Sequence, residues 1–192
     1  MIVIGDVHGK LEGYKKIINE TNDESICVGD FGFERHHQWH LDFIDGKKHK
    51  ICFGNHDDTS FVNKPHSLGN HSYNKKTGIF TMRGAFSIDA YIRTEGIDFF
   101  SDEELNYEQI LEAVDCYNEN KPKIVITHDC PHEVRKLLFG IEQKCITCNG
   151  LQSMFEGHKP DMWIFGHHHQ SITKTILGTK FICLNELEVL KL

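Results

Sequence analysis

No stretch of this 192-residue chain holds the roughly 18 consecutive apolar residues that a membrane-spanning helix needs. Positive charge is also scarce: 21 Lys and Arg face 28 Asp and Glu, a formal net charge of −7 with histidines neutral. That balance argues against broad electrostatic attraction to nucleic acid or to an anionic membrane surface. Lys47-Lys48-His49-Lys50 is the only dense basic cluster, and it reads as a solvated turn. No basic leader or cleavage site precedes the strand-like Met1-Ile2-Val3-Ile4, so a signal peptide is not expected. An even set of cysteines is missing too. The seven, at 27, 52, 116, 130, 145, 148 and 183, include Cys27, Cys52 and Cys183 inside apolar runs, the pattern of buried free thiols rather than of a disulfide framework. These absences together lead to the expectation of a soluble protein of the cytoplasm. With no repeat, low-complexity tract or linker, one domain over residues 1–192 is expected, and oligomeric state leaves no readable mark.

What the chain has in excess is histidine, 14 in all, several of them beside Gly, Asp or Asn where an apolar run stops. Gly54-Asn55-His56-Asp57 is the clearest case, following Ile51-Cys52-Phe53, a run that reads as a buried strand. Taken in order, Met1 to Gly5 reads as a strand, Lys10 to Glu20 as a helix with Leu11, Tyr14, Ile17 and Ile18 on one face, and Ser25 to Val28 as a second strand. A helix over about Arg35 to Asp45 then leads to the strand that ends at Gly54. This strand, helix, strand, helix, strand order indicates an α/β chain with a right-handed parallel sheet. Turn residues through Lys64 to Arg93 suggest hairpins. Ser101 to Val114 reads as a helix capped by Ser101, with Asp102, Glu103 and Glu104 in its first turn. Lys123 to Thr127 and Asp161 to Phe165 read as strands, Pro131 to Pro160 as one or two helices, and Ser171 to Leu192 as two or three antiparallel strands turning near Gly178.

Five strand ends therefore carry polar groups: Asp6 and His8, then Asp30, then Asn55 and His56, then His128, then His167 and His169. Carboxylate, imidazole and one amide oxygen together suit borderline divalent metals, Mn, Fe, Co, Ni or Zn. Seven of these eight, all but His56, are the candidate ligands, too many for one open catalytic ion and about right for two.

In these residues the chain resembles the calcineurin-like metallophosphoesterases, whose signature runs Asp-x-His, Gly-Asp, Gly-Asn-His-(Asp/Glu), a lone His and Gly-His-x-His. The matches are Asp6-Val7-His8, Gly29-Asp30, Gly54-Asn55-His56-Asp57, His128 and Gly166-His167-His168-His169, all in the family's order. The resemblance implies a four-layer α-β-β-α sandwich with two mixed β-sheets. It implies one metal on Asp6, His8 and His169, a second on Asn55, His128 and His167, and Asp30 bridging, with manganese favoured and Fe, Ni, Co or Zn as other occupants. A shared hydroxide would attack phosphorus in line, and His56 would serve the leaving oxygen as acid or cation. The implied activity is hydrolysis of phosphodiesters or small phosphomonoesters, diesters favoured by the Asp57 ending, with a phosphate-ester substrate as the only expected partner. An inert binding scaffold of the same fold and a protein phosphatase are the alternatives.

The second motif departs from many relatives, which continue Gly-Asp-x-x-Asp-Arg. Phe33 stands where the carboxylate that orients the catalytic histidine would be, and the arginine, Arg35, is displaced by one residue. Gly84 to Asp89 with Arg93 is similar to a segment of some small bacterial and phage members, which suggests that Arg93 approaches the substrate phosphate. Arg35 and Arg93 are each divided between a salt bridge and a phosphate contact. His168 is expected to point away from the metals, and His36, His37 and His40, with Trp39, to pack or face solvent. Cys145-Ile146-Thr147-Cys148 invites a structural zinc, completed by Cys130 and His132 only if the fold brings them close.

Overall fold

The computed structural model describes residues 1–32 and 43–192. The helix expected over about 35 to 45 lies almost wholly outside them, as do Phe33, Glu34, Arg35, His36, His37, Trp39 and His40.

The first sheet forms from three short runs, β1 (Ile2–Ile4), β2 (Ser25–Cys27) and β3 (His49–Ile51), paired in parallel with Ile2 beside Ser25 and Ser25 beside His49. Helix α1 (Leu11–Glu20) crosses from β1 to β2, and Tyr14 and Ile18 are its buried positions. The second sheet has the order β4 (His71–Asn74), β5 (Ile79–Met82), β6 (Ile124–Thr127), β7 (Met162–Phe165), β9 (Thr179–Cys183) and β8 (Ile172–Ile176). Its middle strands β5, β6, β7 and β9 run parallel, while β4 and β8 close the edges as antiparallel hairpins. The last strand, β10 (Val189–Lys191), leaves this sheet and pairs antiparallel with β1, so both sheets are mixed.

Side-chain alternation along the strands sorts the core into layers. Val3, Ile26 and Val28 of the first sheet meet Ile79, Ile126, Ile164 and Ile182 of the second. The opposite faces carry Ile2, Ile4 and Cys27 against α1, and Phe80, Val125, Trp163, Phe165 and Phe181 against the helices α2 (Tyr107–Asn120) and α4 (Ile146–Gly157), with α3 (His132–Phe139) beside them. The result is the expected four-layer sandwich, helix, sheet, sheet, helix. No helix among the described residues is long and apolar enough to cross a membrane.

Two elements differ from the sequence reading in their bounds, and a third agrees with it. The third strand begins at His49, inside the basic cluster read as a solvated turn, and ends at Ile51 rather than at Phe53. His49 is buried there and its Nδ1 lies 2.9 Å from Ser25 Oγ, so one face of an otherwise basic edge strand is held inside. Helix α2 starts at Tyr107, not near Ser101. Asn106 and Gln109 form its capping box, which satisfies two N-terminal groups reciprocally and leaves residues 101–104 in a turn. Region 131–160 contains two helices, and Gly140, left-handed at φ 71°, terminates the first.

Candidate metal centre and active site

All five motif loops leave the carboxyl ends of parallel strands, three from the first sheet and two from the second, and they meet at one edge of the sandwich. Asp6, His8, Asp30 and His169 each offer one donor atom in one group, all within 4.8 Å of one another. Asp30, His128 and His167 form a second such group, so Asp30 belongs to both. Asn55 Oδ1 adds an oxygen 3.1 Å from His128 Nε2. The structure thus brings Asp6, His8, Asp30, Asn55, His128, His167 and His169 together, and His56 lines the cleft beside them.

The loops are wound tightly to do this. His8, Asp30, His167 and His169 all adopt left-handed φ values, 46°, 44°, 64° and 49°, which L-residues rarely take and which turn each side chain back toward the cleft. Gly54 and Gly166 permit close approach: a Cβ on Gly54 would lie 2.1 Å from Asp30 Oδ1, and one on Gly166 2.1 Å from Asp6 Oδ1. Asp57, fully buried, accepts from the Gly54 and Gly32 N–H groups at 2.9 and 3.0 Å and so ties the loops of β2 and β3 to each other.

The electrostatics fit cations. Burial pushes Asp6 up to about 8, while for Asp30 the neighbouring His128, His56 and His8 outweigh burial and hold it well below the usual carboxylate range. Burial pushes His167 down to about 3, leaving its ring neutral with a lone pair to offer. Burial also lowers His8, whose Nε2 faces His169 Nε2 at 2.8 Å. Two imidazole nitrogens that close converge on a single proton or cation. His128 Nδ1 donates to the Val28 carbonyl at 3.1 Å, which frees Nε2 for the centre. Asp6 Oδ1 is buried with no hydrogen-bond partner, an acceptor that a metal ion would satisfy. These donors fit two divalent ions.

Around the donors stand residues that spacing alone does not mark. Arg93 clasps Asp89 with two hydrogen bonds of 2.7 Å and reaches His56 Nδ1 with Nη1 at 3.1 Å. Glu103, read from the sequence as part of a helix start, is buried and accepts from the Ser87 hydroxyl and N–H, and burial pushes it up to about 7. His168 does point away: its Nε2 lies 3.0 Å from Asp129 Oδ1 and its ring stacks on Phe139 at 3.9 Å. Asp129 is buried and also pairs with Arg135 at 3.2 Å. Arg135 in turn sits against Cys145 and Cys148, with nitrogens 3.8 and 3.4 Å from their sulfurs, so a guanidinium occupies the place a zinc ion would need. Cys130 groups with Asp129 and His168 instead of with those thiols. Arg35 lies outside the described residues.

The calcineurin-like phosphoesterase family model matches residues 1–171. Comparison with curated proteins gives no match. Among solved structures the chain is similar to phosphopantetheinyl hydrolase (PptH) from Mycobacterium tuberculosis, with a TM-score of 0.60 at 13% identity over 96% of this chain and 89% of the other. It is also similar to a putative 5'-nucleotidase from Staphylococcus aureus crystallised with alpha-ketoglutarate, with a TM-score of 0.56 at 14% identity over 98% of this chain, though it spans only 49% of that one. At such identities the likeness is one of fold.

Proposed function

The chain belongs to the calcineurin-like phosphoesterase family, and from that premise we propose that it is a dinuclear metal-dependent phosphoesterase that hydrolyses phosphodiesters in preference to phosphomonoesters. The observation that carries this reading is the shared carboxylate, Asp30, which belongs to two donor groups assembled from both sheets. In the proposal Asp6, His8 and His169 hold one cation, Asn55, His128 and His167 hold the other, and Asp30 serves both. When bound, a pair of divalent cations supplies Lewis acidity, polarising a phosphoryl oxygen and making a water acidic enough to attack phosphorus near neutral pH. Manganese is the occupant we favour, and the mixed oxygen and nitrogen donors also suit Fe, Co, Ni or Zn.

The remaining work falls to side chains. Arginine only donates hydrogen bonds, so Nη1 of Arg93 requires His56 Nδ1 to be an acceptor, which leaves the ring proton on Nε2. His56 then presents its Nε2–H to the leaving oxygen as a hydrogen-bond donor that steadies the charge developing there. The cleft beside it, about 290 Å³, is lined by Phe86, Ile88 and Ile141 as well as by polar groups. Its lining arginines among the described residues, Arg93 and Arg135, are both committed to carboxylates, Asp89 and Asp129. Little positive charge is left for the second negative charge of a monoester, which supports a monoanionic diester as substrate. The seven cysteines are all free, in keeping with a reducing compartment such as the cytoplasm.

The test pairs metal stoichiometry of the purified protein with hydrolysis of bis(p-nitrophenyl) phosphate and p-nitrophenyl phosphate after manganese loading. Two ions per chain and faster diester cleavage are expected, and His56→Asn should keep the metals while losing most turnover. Monoester preference would reverse the substrate assignment. Two ions with no turnover on either ester would favour an inert scaffold.

A further inference from the structure

The Asn55 amide has two ends of nearly the same shape and opposite chemistry. Its oxygen can ligate a cation, while its NH2 group repels one. Something must choose between them, and the choice is built from two residues outside the donor set. Asn55 Nδ2 donates to Ser87 Oγ at 2.9 Å, and the Ser87 hydroxyl donates to Glu103 Oε2 at 2.6 Å. The Ser87 N–H donates to Glu103 Oε1 at 2.7 Å, so the carboxylate grips serine from both sides. Asn55, Ser87 and Glu103 are all buried, at 2%, 3% and 4% exposure, so water does not compete for these bonds.

At mildly alkaline pH, where Glu103 is ionised even though burial pushes it up to about 7, the direction of this chain is forced. An ionised carboxylate accepts and does not donate, so the serine proton points to Glu103 and the hydroxyl lone pairs remain for Asn55. Asn55 must answer with its NH2 group, and its oxygen is thereby turned to the side where His128 Nε2 stands, 3.1 Å away. We propose that Glu103, acting through Ser87, is a positioning residue that fixes the Asn55 amide oxygen toward the second cation and so sets the affinity of that position for a divalent metal. This rests on the dinuclear reading above.

Glutamine at 103 has the same outline and the wrong polarity. It cannot accept from both the N–H and the hydroxyl of Ser87: its own NH2 would donate to Oγ, the serine proton would swing to Asn55, and the amide would be favoured in the reversed sense. The experiment is calorimetric titration of metal-stripped protein with Mn2+ alone, at mildly alkaline pH, with the thermal midpoint of each metal-free variant measured alongside. For Glu103→Gln we expect one site unchanged, the other weakened on the order of 10- to 100-fold, and a metal-free midpoint close to that of the parent. Ser87→Ala, which removes only a hydroxyl, should weaken the same site less, because Asn55 is then free to take either sense. Adding Glu103→Gln to Ser87→Ala should cost little more, the signature of an effect transmitted through serine.

Two parent-like sites in Glu103→Gln or in Ser87→Ala would overturn the proposal, as would additive losses in the double variant. Fewer than two sites in the parent protein would instead overturn the dinuclear reading, and the relay with it.

Discussion

Arg93 stands 3.1 Å from Nδ1 of His56 while its other nitrogens clasp the carboxylate of Asp89. That three-residue chain reaches the histidine from the 89–93 segment. Position 33, where many relatives supply an orienting carboxylate, holds phenylalanine in this chain. Arg93→Ala should therefore lower kcat on diester on the order of 10- to 100-fold with a smaller change in KM and no change in metal stoichiometry. Arg93→Lys should not restore it, because a single ammonium cannot hold Asp89 in a fork and reach His56 as well. Equal loss in KM alone would mark Arg93 as a substrate contact.

Metal ions should stabilise the protein more as pH rises. Burial holds Asp6 protonated up to about 8, from an ordinary 3.8. His128 is fully buried, which alone would lower it, yet Asp30 and Asp6 raise it from 6.5 to about 10. From 6.5 to about 8 the unfolded chain has released both protons while the metal-free fold still binds them, so these two groups make metal-free stability fall with rising pH. Cations displace the same protons, and the metal-bound fold escapes that fall. The gap in Tm between loaded and chelated protein should widen across this window, as scanning calorimetry would read. A constant gap would show that neither group changes protonation on metal binding.

Gly54→Ala tests the tight approach of the loops. The new Cβ would meet Asp30 Oδ1 at 2.1 Å, the Asp30 backbone N at 2.6 Å and His128 Nε2 at 2.7 Å, so the backbone at Asp30 and the His128 ring must shift as well as the shared carboxylate. Loss of about 1–3 kcal/mol of stability and loss of at least one bound ion are expected, measured by denaturation and elemental analysis.

Beneath the centre, Arg135 and Asp129 form a buried pair that the two thiols and His168 complete. Arg135→Met leaves the carboxylate without its guanidinium and should cost about 3–5 kcal/mol in urea unfolding. Replacing Cys145 and Cys148 together by serine should leave the number of bound metal ions unchanged. A metal ion lost with the thiols would restore the zinc reading.

The strands that carry the centre were legible because β1, β2, β6 and β7 are nearly continuous apolar runs, buried on both faces, and each stops at a Gly or, for β6, at His128-Asp129. Order along the chain then collected the donor set. The supporting residues were not legible in the same way. Glu103 follows Ser101 and Asp102 in a pattern that satisfies every local rule for a helix start, yet Ser87, 16 residues away, takes its carboxylate. Only a contact across the fold distinguishes the two uses, and local spacing does not register it. The Asn106 and Gln109 capping box was available to the same rules and lay five residues further on. The edge strand at His49 was hidden for another reason, since Lys48 and Lys50 flank the histidine and a basic run of that kind reads as a turn.

The donor set also has a history in time. Asp6, His8, Asp30 and Asn55 leave a ribosome early, whereas the residues that complete their neighbourhood, His167 and His169, lie 161 positions after Asp6 and His8. The strand that covers the free edge of β1 comes later still, at Val189–Lys191. Contacts so distant form slowly because a long loop must close before any of them is made. A growing chain therefore holds Asp6, His8, Asp30 and Asn55 without the late imidazoles, and because each donor group includes one of those, His169 or His167, both groups are completed only at the closing stage of folding, when the two sheets have met.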